Sequence, residues 1–289
     1  MSRLQSLAPA KVNLTLSVLA RRSDGYHELS SLVAFAAIGD ALALEMGSAL
    51  DLTVDGTMAA MAGRKTGNLV LKAARAAAAR IQGLRLGRFL LTKKLPAGAG
   101  LGGGSADAAA ALRLIAEANA IALDDPRIMG AARATGADVP ACLDPKARLM
   151  HGVGEILSPP LGLPKLDAVL LFPGVPVSTA DVFGNFTLVA GPRRKTRYAE
   201  AEIPVERDAL LKFLAQEAND LELAARLVEP AISEAREILL QAGEPQLTRM
   251  SGSGSALFAI YENAQHAKRA AAKIAKRKLE WWVVATVLS

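Results

Sequence analysis

The sequence of 289 residues is poor in cysteine, in aromatic side chains and in long apolar runs. Its single cysteine, Cys142, excludes a disulfide within the chain and provides no set of thiolates for a cysteine-based metal site. No apolar run approaches the ~20 residues that cross a bilayer, and the N-terminus has no charged-then-apolar signal sequence. We therefore expect a cytoplasmic protein that does not associate with membranes.

Apolar residues are plentiful in spite of these absences. They make up 51% of the chain while aromatics make up only 4%, and alanine fills much of the apolar share. Such a chain can bury a full core, which argues against disorder and predicts one large domain or two smaller ones. The net charge of +6 suits an anionic substrate but is weaker than that of most dedicated nucleic-acid binders. We interpret the basic clusters at 193–197 and 268–278 as solvated faces.

A glycine-rich segment is the most informative part of the chain. Residues 95–112 read LPAGAGLGGGSADAAAAL, with five glycines followed at once by an alanine run that predicts a helix. Glycine lets a loop curl tightly and turn several backbone N–H groups toward a ligand. The helix adds unpaired N–H groups and the positive end of its dipole, with Ser105 as the predicted N-cap. The segment therefore predicts a phosphate-binding loop.

Neither of two common phosphate-loop patterns is met in full by this segment. The P-loop needs Lys and then Ser or Thr after its last glycine, whereas Gly104 is followed by Ser105 and Ala106. The dinucleotide pattern G-x-G-x-x-G fits the spacing, and an acidic pair at 124–125 follows at about the expected distance. That acid should end a second strand, however, whereas Asp125 precedes Pro126 and resembles a helix N-cap. A dinucleotide site is therefore the weaker interpretation.

The first half of the chain predicts strands around this loop. Residues 11–19 alternate between apolar and polar side chains, which predicts a half-buried strand with Lys11 and Asn13 on its polar face. Residues 32–38 and 41–45 predict two further strands, separated by a turn at Gly39 and Asp40.

The glycine loop itself is predicted to lie in a strand–loop–helix unit. A helix is expected from Asn68 to Ile81, and a strand over 89–95 leads into the loop. A further helix is expected from Pro126 to about Ala134, ending at a C′ glycine at 136. Because Pro140 disfavours a helical conformation for the residue before it, Asp138 is expected in a bend between elements.

The second half predicts fewer motifs. We expect a strand at 168–172, helices at 219–228 and 230–242, a serine–glycine loop at 250–255, a basic helix, and a terminal strand at 281–287. The expected domains are residues 1–157, with the glycine loop and Asp138, and residues 158–289.

Four segments together resemble the GHMP kinase superfamily. They are PAKVN at 9–13, the loop from Pro96 to Ser105, GADVP at 136–140 and SGSG at 251–254. A fifth, RSDGYHEL at 22–29, is similar to the R-x-D-G-Y-H signature of one branch of that superfamily. That branch phosphorylates a cytidine diphosphate-linked methylerythritol in the non-mevalonate route to isoprenoid precursors. The segments GVGE at 152–155 and NDLE at 219–222 also fit this branch.

The resemblance implies an α/β (α+β) fold of two lobes, with the active site in the cleft between them. It implies ATP-dependent transfer of the γ-phosphoryl group to the 2-hydroxyl of the acceptor, with the ATP phosphates on the glycine loop. Mg²⁺ is expected because it accompanies ATP. Ser105 is a candidate protein ligand and Asp107, in the next helical turn, is an alternative; phosphates and water are expected to fill most positions. We interpret Asp107 as a first-turn acid that favours the helix dipole.

The resemblance and the chemistry of the residues assign the same catalytic pair. Asp138 is the expected general base, and the Lys11 ammonium would keep it ionised and offset charge on the transferring group. The expected ATP-binding residues are Asn68, Lys93, Pro96, Ala97, Gly98, Ala99, Gly100, Leu101, Gly102, Gly103, Gly104, Ser105 and Ala106, with Lys94 as an alternative to Lys93. The expected substrate-binding residues are Asn13, Tyr26, His27 and Thr179, with Tyr26 stacking on the cytosine and His27 bonding to its edge.

Two other functions stay open from the sequence. One is a different small-molecule kinase of the same superfamily, such as a homoserine or mevalonate kinase, in which the Tyr26–His27 segment would have no evident purpose. The other is a basic nucleic-acid-binding protein, which would bind RNA with strong salt dependence and would not turn over ATP. We expect a small-molecule substrate and ATP as the partners, with no nucleic acid and no membrane.

Overall fold

The computed structural model describes residues 3–47, 49–186 and 198–289. These residues form both strands and helices, in runs such as four successive strands at the start and three successive helices after the glycine loop, which confirms the predicted α/β (α+β) class. The basic cluster at 193–197 lies outside the described residues. Over the described ranges, no helix combines the length and the apolar composition needed to cross a membrane.

The described residues contain eleven strands and nine α-helices. The strands are β1 (Arg3–Asn13), β2 (Ser17–Arg21), β3 (His27–Met46), β4 (Asp51–Asp55), β5 (Gly87–Thr92), β6 (Arg148–Gly152), β7 (Ile156–Leu157), β8 (Leu166–Phe172), β9 (Leu247–Met250), β10 (Leu257–Ile260) and β11 (Trp282–Leu288). The helices are α1 (Leu69–Ala78), α2 (Gly103–Ala118), α3 (Pro126–Thr135), α4 (Val139–Leu143), α5 (Thr179–Asn185), α6 (Arg207–Gln216), α7 (Glu222–Val228), α8 (Ala231–Leu240) and α9 (Ala264–Arg277).

These elements form two compact units that are interleaved along the chain. The first unit draws its described residues from Met1–Lys11, Ile38–Ala97 and Gly102–Pro145, and the second from Val12–Ala37, Gly98–Leu101 and Lys146–Ser289. The division at 157 and 158 expected from the sequence runs in chain order and stays a prediction.

In the first unit, β5 lies between β4 and β3. It pairs in parallel with β4 and antiparallel with β3, with Phe89 opposite Leu52 on one side and Leu44 on the other. Helices α1 and α2 pack against each other, while α3 contacts α1 and α4 contacts α2. Alanines fill most of the buried face of α2, so the neighbouring helices can approach it closely.

In the second unit, β8 lies between β11 and β10, and β9 lies beyond β10; all three pairings are antiparallel. The core of this unit collects apolar side chains from these strands and from α7, α8 and α9. Tyr261 follows β10 and is fully buried, and its hydroxyl donates to the Ala242 carbonyl at 2.9 Å. The hydroxyl therefore satisfies a buried acceptor at the end of α8.

The strand predicted over 11–19 is wrong in two respects. β1 ends at Asn13 and β2 begins at Ser17, so the segment is not one continuous strand. The polar side chains of Asn13, Thr15 and Ser17 are buried rather than on an exposed face. They are buried because they bond to one another and to the backbone. Asn13 Nδ2 donates to Ser31 Oγ at 2.7 Å, and Thr15 Oγ1 accepts from the Leu32 N–H at 3.0 Å.

The turn predicted at Gly39 and Asp40 is also wrong, because β3 runs through both residues without a break. Gly39 serves a close approach of two strands: a Cβ there would lie 2.3 Å from the Ala8 carbonyl oxygen. Asp40 is fully buried and accepts backbone N–H groups from Lys94 and Leu95. Residues typical of turns therefore occupy this strand for reasons of packing and hydrogen bonding.

Two predicted helix ends, and the non-helical conformation expected before Pro140, need correction. α2 begins at Gly103 with Gly102 as its N-cap, because Gly102 adopts a left-handed conformation and starts the helix earlier than Ser105 would. α3 ends where predicted, but Gly136 is extended, with φ of −179°, and is not a left-handed C′ residue. Val139 is helical and begins α4, since Pro140 in a first turn loses no helical hydrogen bond.

We predict that Tyr261→Phe lowers the free energy of unfolding by about 1 kcal/mol, because it leaves the Ala242 carbonyl without its buried donor. Urea unfolding followed by circular dichroism measures this change. Tyr26→Phe is the matched control. Tyr26 is 65% exposed, so water can bond to any group that loses the Tyr26 hydroxyl, and stability should not change. Equal stability of the Tyr261→Phe and wild-type proteins would contradict the assignment.

Candidate active site

The glycine loop joins β5 to α2, as predicted. Gly98, Gly100 and Gly102 all have positive φ, between 64° and 77°, so the loop curls in a way that side chains would strain. Gly100 also packs against the serine–glycine loop, where a Cβ would lie 2.4 Å from the Ser251 carbonyl oxygen. Ser251 Oγ donates to the Gly100 carbonyl at 3.0 Å. In the second unit the two glycine-containing loops therefore support each other.

The start of α2 leaves backbone donors free for a ligand. Its first intrahelical bond runs from the Ala106 N–H to the Gly102 carbonyl, and no side chain of the described residues caps the N-terminus. The N–H groups of Gly103, Gly104 and Ser105 precede that bond, and Gly104 is exposed. Together with the dipole of a 16-residue helix, these groups can bind an anion such as a phosphate.

Lys11 and Asp138 form an ion pair beside this helix start. Lys11 Nζ lies 3.2 Å from Asp138 Oδ2, and the lysine side chain is 4% exposed while the aspartate is 38% exposed. A Cβ on Gly102 would lie 3.1 Å from Lys11 Cβ, so the lysine stem packs against the N-cap of α2. The pair thus combines a buried cation with a carboxylate that solvent and small molecules can reach.

Cys142 lies in α4, the short helix that Asp138 precedes. It is fully buried, and burial together with the negative charge of Asp138 raises the pKa of its thiol to about 12. The thiol is therefore a protonated packing group in this part of the first unit.

Lys93 has a different environment from that expected of a nucleotide contact. Its side chain is 3% exposed, and Nζ bonds to Asp40 at 2.5 Å and to Asp107 at 2.9 Å. Asp107 is therefore not the first-turn acid expected from the sequence, since its carboxylate is buried in an ion pair. Burial, opposed by the Lys93 charge, raises the pKa of Asp107 to about 7. Lys94 is exposed.

Asn68 lies just before α1 and caps it. Its Oδ1 accepts from the Val70 N–H at 2.9 Å, so the structure gives this predicted nucleotide residue a local role in starting the helix. A nucleotide contact by Asn68 stays a prediction.

Asn13 lies next to the serine–glycine loop in the second unit. Its backbone N–H donates to Ser251 Oγ at 3.1 Å. Asn219, the first residue of the NDLE segment, is buried and donates both amide hydrogens to this loop, to the Met250 carbonyl at 2.9 Å and to the Gly252 carbonyl at 2.7 Å. These two hydrogen bonds account for the buried side chain of Asn219 without a ligand. Asn219 therefore supports the serine–glycine loop.

The predicted substrate residues Tyr26, His27 and Thr179 line one cavity of about 840 Å³ in the second unit. His27 stacks on Phe183 with the ring centroids 4.7 Å apart and the planes 19° apart, and Phe186 meets the histidine edge-on at 6.3 Å. Partial burial and the charge of Arg21 lower the pKa of His27, which favours the neutral ring at pH 7. Thr179 and Ser253 share a hydrogen bond of 2.8 Å between their hydroxyls.

Phe183 and Phe186 were not predicted from the sequence. A signal was available, because phenylalanine is rare in this chain and these two follow Thr179 closely. With Tyr26 65% exposed, they make the cavity an aromatic site that could hold a planar ring.

The described residues include no group of three or more His, Cys, Asp or Glu side chains placed to hold a metal ion. Ser105, the candidate magnesium ligand, lies half-buried in the first turn of α2. This fits an ion that takes most of its oxygen ligands from phosphates and water.

Comparison with known proteins identifies the family. The family model described as the GHMP kinases N terminal domain matches residues 68–144, and the GHMP kinases C terminal model matches residues 206–280. The 4-diphosphocytidyl-2-C-methyl-D-erythritol kinase of Azorhizobium caulinodans is 52% identical over 288 residues, covering 100% of both chains. The chain belongs to the 4-diphosphocytidyl-2-C-methyl-D-erythritol kinase family of the GHMP kinases. The protein of that name from Methylorubrum extorquens is also 52% identical, over 295 residues, with the same full coverage.

Solved structures agree with this placement. A crystal structure of a 4-(cytidine 5'-diphospho)-2C-methyl-D-erythritol kinase matches with a TM-score of 0.81 and 34% identity, covering 99% of each chain. A homoserine kinase from Cytophaga hutchinsonii matches with a TM-score of 0.64, 20% identity and coverage of 100% of this chain and 95% of the other. At that identity the second match shows the shared fold alone. The resemblance drawn from the Tyr26–His27 segment is thus confirmed at the level of the diphosphocytidyl-methylerythritol kinase family.

Proposed function

We propose that this chain transfers the γ-phosphoryl group of ATP to the 2-hydroxyl of 4-diphosphocytidyl-2-C-methyl-D-erythritol, a step toward isoprenoid precursors. Membership of the family supports the overall reaction. The observation that carries the chemistry is the Lys11–Asp138 ion pair of 3.2 Å, packed against the N-cap of the helix that follows the glycine loop. It brings a base and a cation to the start of an anion-binding helix.

Asp138 acts as the general base in this proposal. As the acceptor oxygen forms its bond to the γ-phosphorus, the bond from phosphorus to the β,γ-bridging oxygen breaks and ADP leaves. The hydroxyl proton passes to the Asp138 carboxylate. Lys11 keeps that carboxylate ionised in the ground state and offsets negative charge as the phosphoryl group moves.

The glycine loop, Pro96 to Ala106, binds the ATP phosphates through its backbone N–H groups. Positive φ at three of its glycines and the free donors at the start of α2 support this assignment. Lys94 is exposed beside the loop and is better placed than the buried Lys93 to meet the nucleotide. Asn68 contributes at the start of α1.

Mg²⁺ would be held by phosphate oxygens, water and the Ser105 hydroxyl, and it would neutralise charge on the phosphates. Because the described residues offer no acidic cluster for the ion, its affinity would depend on bound ATP.

The aromatic cavity binds the cytidine in this proposal. Tyr26 and Phe183 offer faces for stacking on the base, and neutral His27 offers one donor and one acceptor to its edge. Asn13 would bond hydroxyls of the substrate, and Thr179 would contact the substrate, as the resemblance implies for that threonine.

The acceptor can be tested directly by measuring ADP release with a panel of alcohols. We expect turnover with the cytidylated methylerythritol and none with methylerythritol 4-phosphate, homoserine or mevalonate, because these lack the base that the aromatic cavity binds. Comparable turnover with homoserine or mevalonate would assign the chain to another kinase of the superfamily. Salt-dependent RNA binding without ATP turnover would replace the proposal with a nucleic-acid function.

Asp138→Asn is expected to lower kcat by roughly 10²–10⁴-fold, since an amide cannot accept the hydroxyl proton. Asp124→Asn, which removes an exposed carboxylate elsewhere in the same unit, is the matched control and should keep wild-type turnover. Steady-state kinetics with saturating ATP measures both variants. Near-normal kcat in Asp138→Asn would remove Asp138 from the role of base.

Tyr26→Ala is expected to raise the KM of the cytidylated acceptor about 5-fold and to leave kcat nearly unchanged. The estimate takes the lower end of the roughly 1–3 kcal/mol for stacking on a base, because Tyr26 is largely exposed. Tyr26→Phe retains the ring and should retain the KM. A loss confined to kcat would argue against stacking.

A further inference from the structure

Three buried charged groups lie apart from the proposed catalytic pair. The side chain of Asp40 is 0% exposed, that of Lys93 3% and that of Asp107 5%. Removing charged groups from water commonly costs more free energy than their mutual attraction recovers. Proteins in which apolar side chains of similar volume replace such buried ion pairs are often more stable. Stability alone is therefore a poor explanation for the cluster.

The three members of this cluster come from different segments of the first unit, and Lys93 directly follows the end of β5. Asp40 lies on β3, and its Oδ1 accepts the backbone N–H groups of Lys94 at 2.5 Å and of Leu95 at 2.8 Å. These are the residues that lead from β5 into the glycine loop. Lys93 Nζ binds the other oxygen of Asp40 and also Asp107, which lies on α2.

The cluster also lies directly behind the start of α2. A Cβ on Gly103 would lie 3.5 Å from Lys93 Nζ and 3.8 Å from Asp40 Oδ2. Asp107 follows Gly103 by one helical turn. The cluster therefore holds the chain immediately before the glycine loop and immediately after it.

Asp107 is the member that charge balance does not require. Asp40 alone neutralises Lys93, and Asp107 adds a second buried carboxylate whose Oδ1 has no hydrogen-bond partner among the described residues. What Asp107 contributes is the connection to α2. Without Asp107, the residues that enter the loop from β5 would still bond to Asp40. The helix α2, which follows the loop, would lose its ion pair to Lys93.

We propose that Asp40, Lys93 and Asp107 are positioning residues for the phosphate-binding loop, and that Lys93 affects ATP binding through the loop rather than by contact with the nucleotide. This inference rests on the proposed assignment of the ATP phosphates to the loop. It predicts that Asp107 sets the affinity for ATP and leaves recognition of the acceptor unchanged.

The test compares Asp107→Asn with wild type in kcat, in the KM of ATP and in the KM of the cytidylated acceptor. Asparagine keeps the shape and leaves the balanced Asp40–Lys93 pair in place. We expect the KM of ATP to rise roughly 10- to 100-fold, the size of effect expected when hydrogen bonds to a charged group such as a phosphate are weakened, with the KM of the acceptor within 2-fold of wild type. Folding is checked by circular dichroism at the assay temperature.

Glu117→Gln is the matched control, because Glu117 is an exposed acid at the far end of the same helix; it should keep all three constants. A purely structural role would lower the active fraction and therefore kcat, with both KM values unchanged, and that result would overturn the inference. If Asp107→Asn does not fold, Asp107→Glu, which keeps the charge but adds a methylene, should raise the KM of ATP selectively. Failure of both variants to fold would assign the cluster to stability and also overturn the inference. An inactive wild type would instead reject the proposed function.

Discussion

The first unit depends on the buried carboxylate of Asp40. This one group accepts two backbone N–H groups at the exit of β5 and also binds the Lys93 ammonium, so it pairs two backbone donors and balances a buried positive charge. The path of the chain into the glycine loop follows from that arrangement, and so does the start of α2 beside Lys11. A strand residue far from the loop in sequence thereby determines where the free amides of the loop lie.

Buried polar groups serve the second unit in a similar way. Asn13, Ser31 and Ser251 bond to one another or to neighbouring backbone, and Asn219 supports the serine–glycine loop through two carbonyls. Because unsatisfied polar groups are costly in an interior, each of these contacts restricts the loop to one conformation. The aromatic cavity adds specificity through ring faces rather than through charge.

Local patterns in the sequence predicted local structure well. The glycine loop between a strand and a helix, the helix that starts at Asn68, the Asp125 cap and the basic helix α9 follow from residues close together in the chain. Asp40 and the two phenylalanines could not be predicted in the same way, since their roles depend on partners 53 to 159 residues away or on a cavity formed only by folding. Gly39 and Asp40 suggested a turn because both residue types are common in turns. Residue type alone does not show that Gly39 is needed where the backbone of Ala8 approaches closely. The catalytic and binding roles assigned to the motifs remain proposals.

Cys142 has a practical consequence for chemical work on this protein. Its thiol is enclosed, is held protonated by a pKa of about 12, and is the only one in the chain. Thiol-directed reagents therefore find no reactive group in the folded wild type, and oxidants have no neighbouring thiol to pair with it. A cysteine introduced on the surface could be labelled with a fluorophore or spin probe at a single site, without first removing the native one.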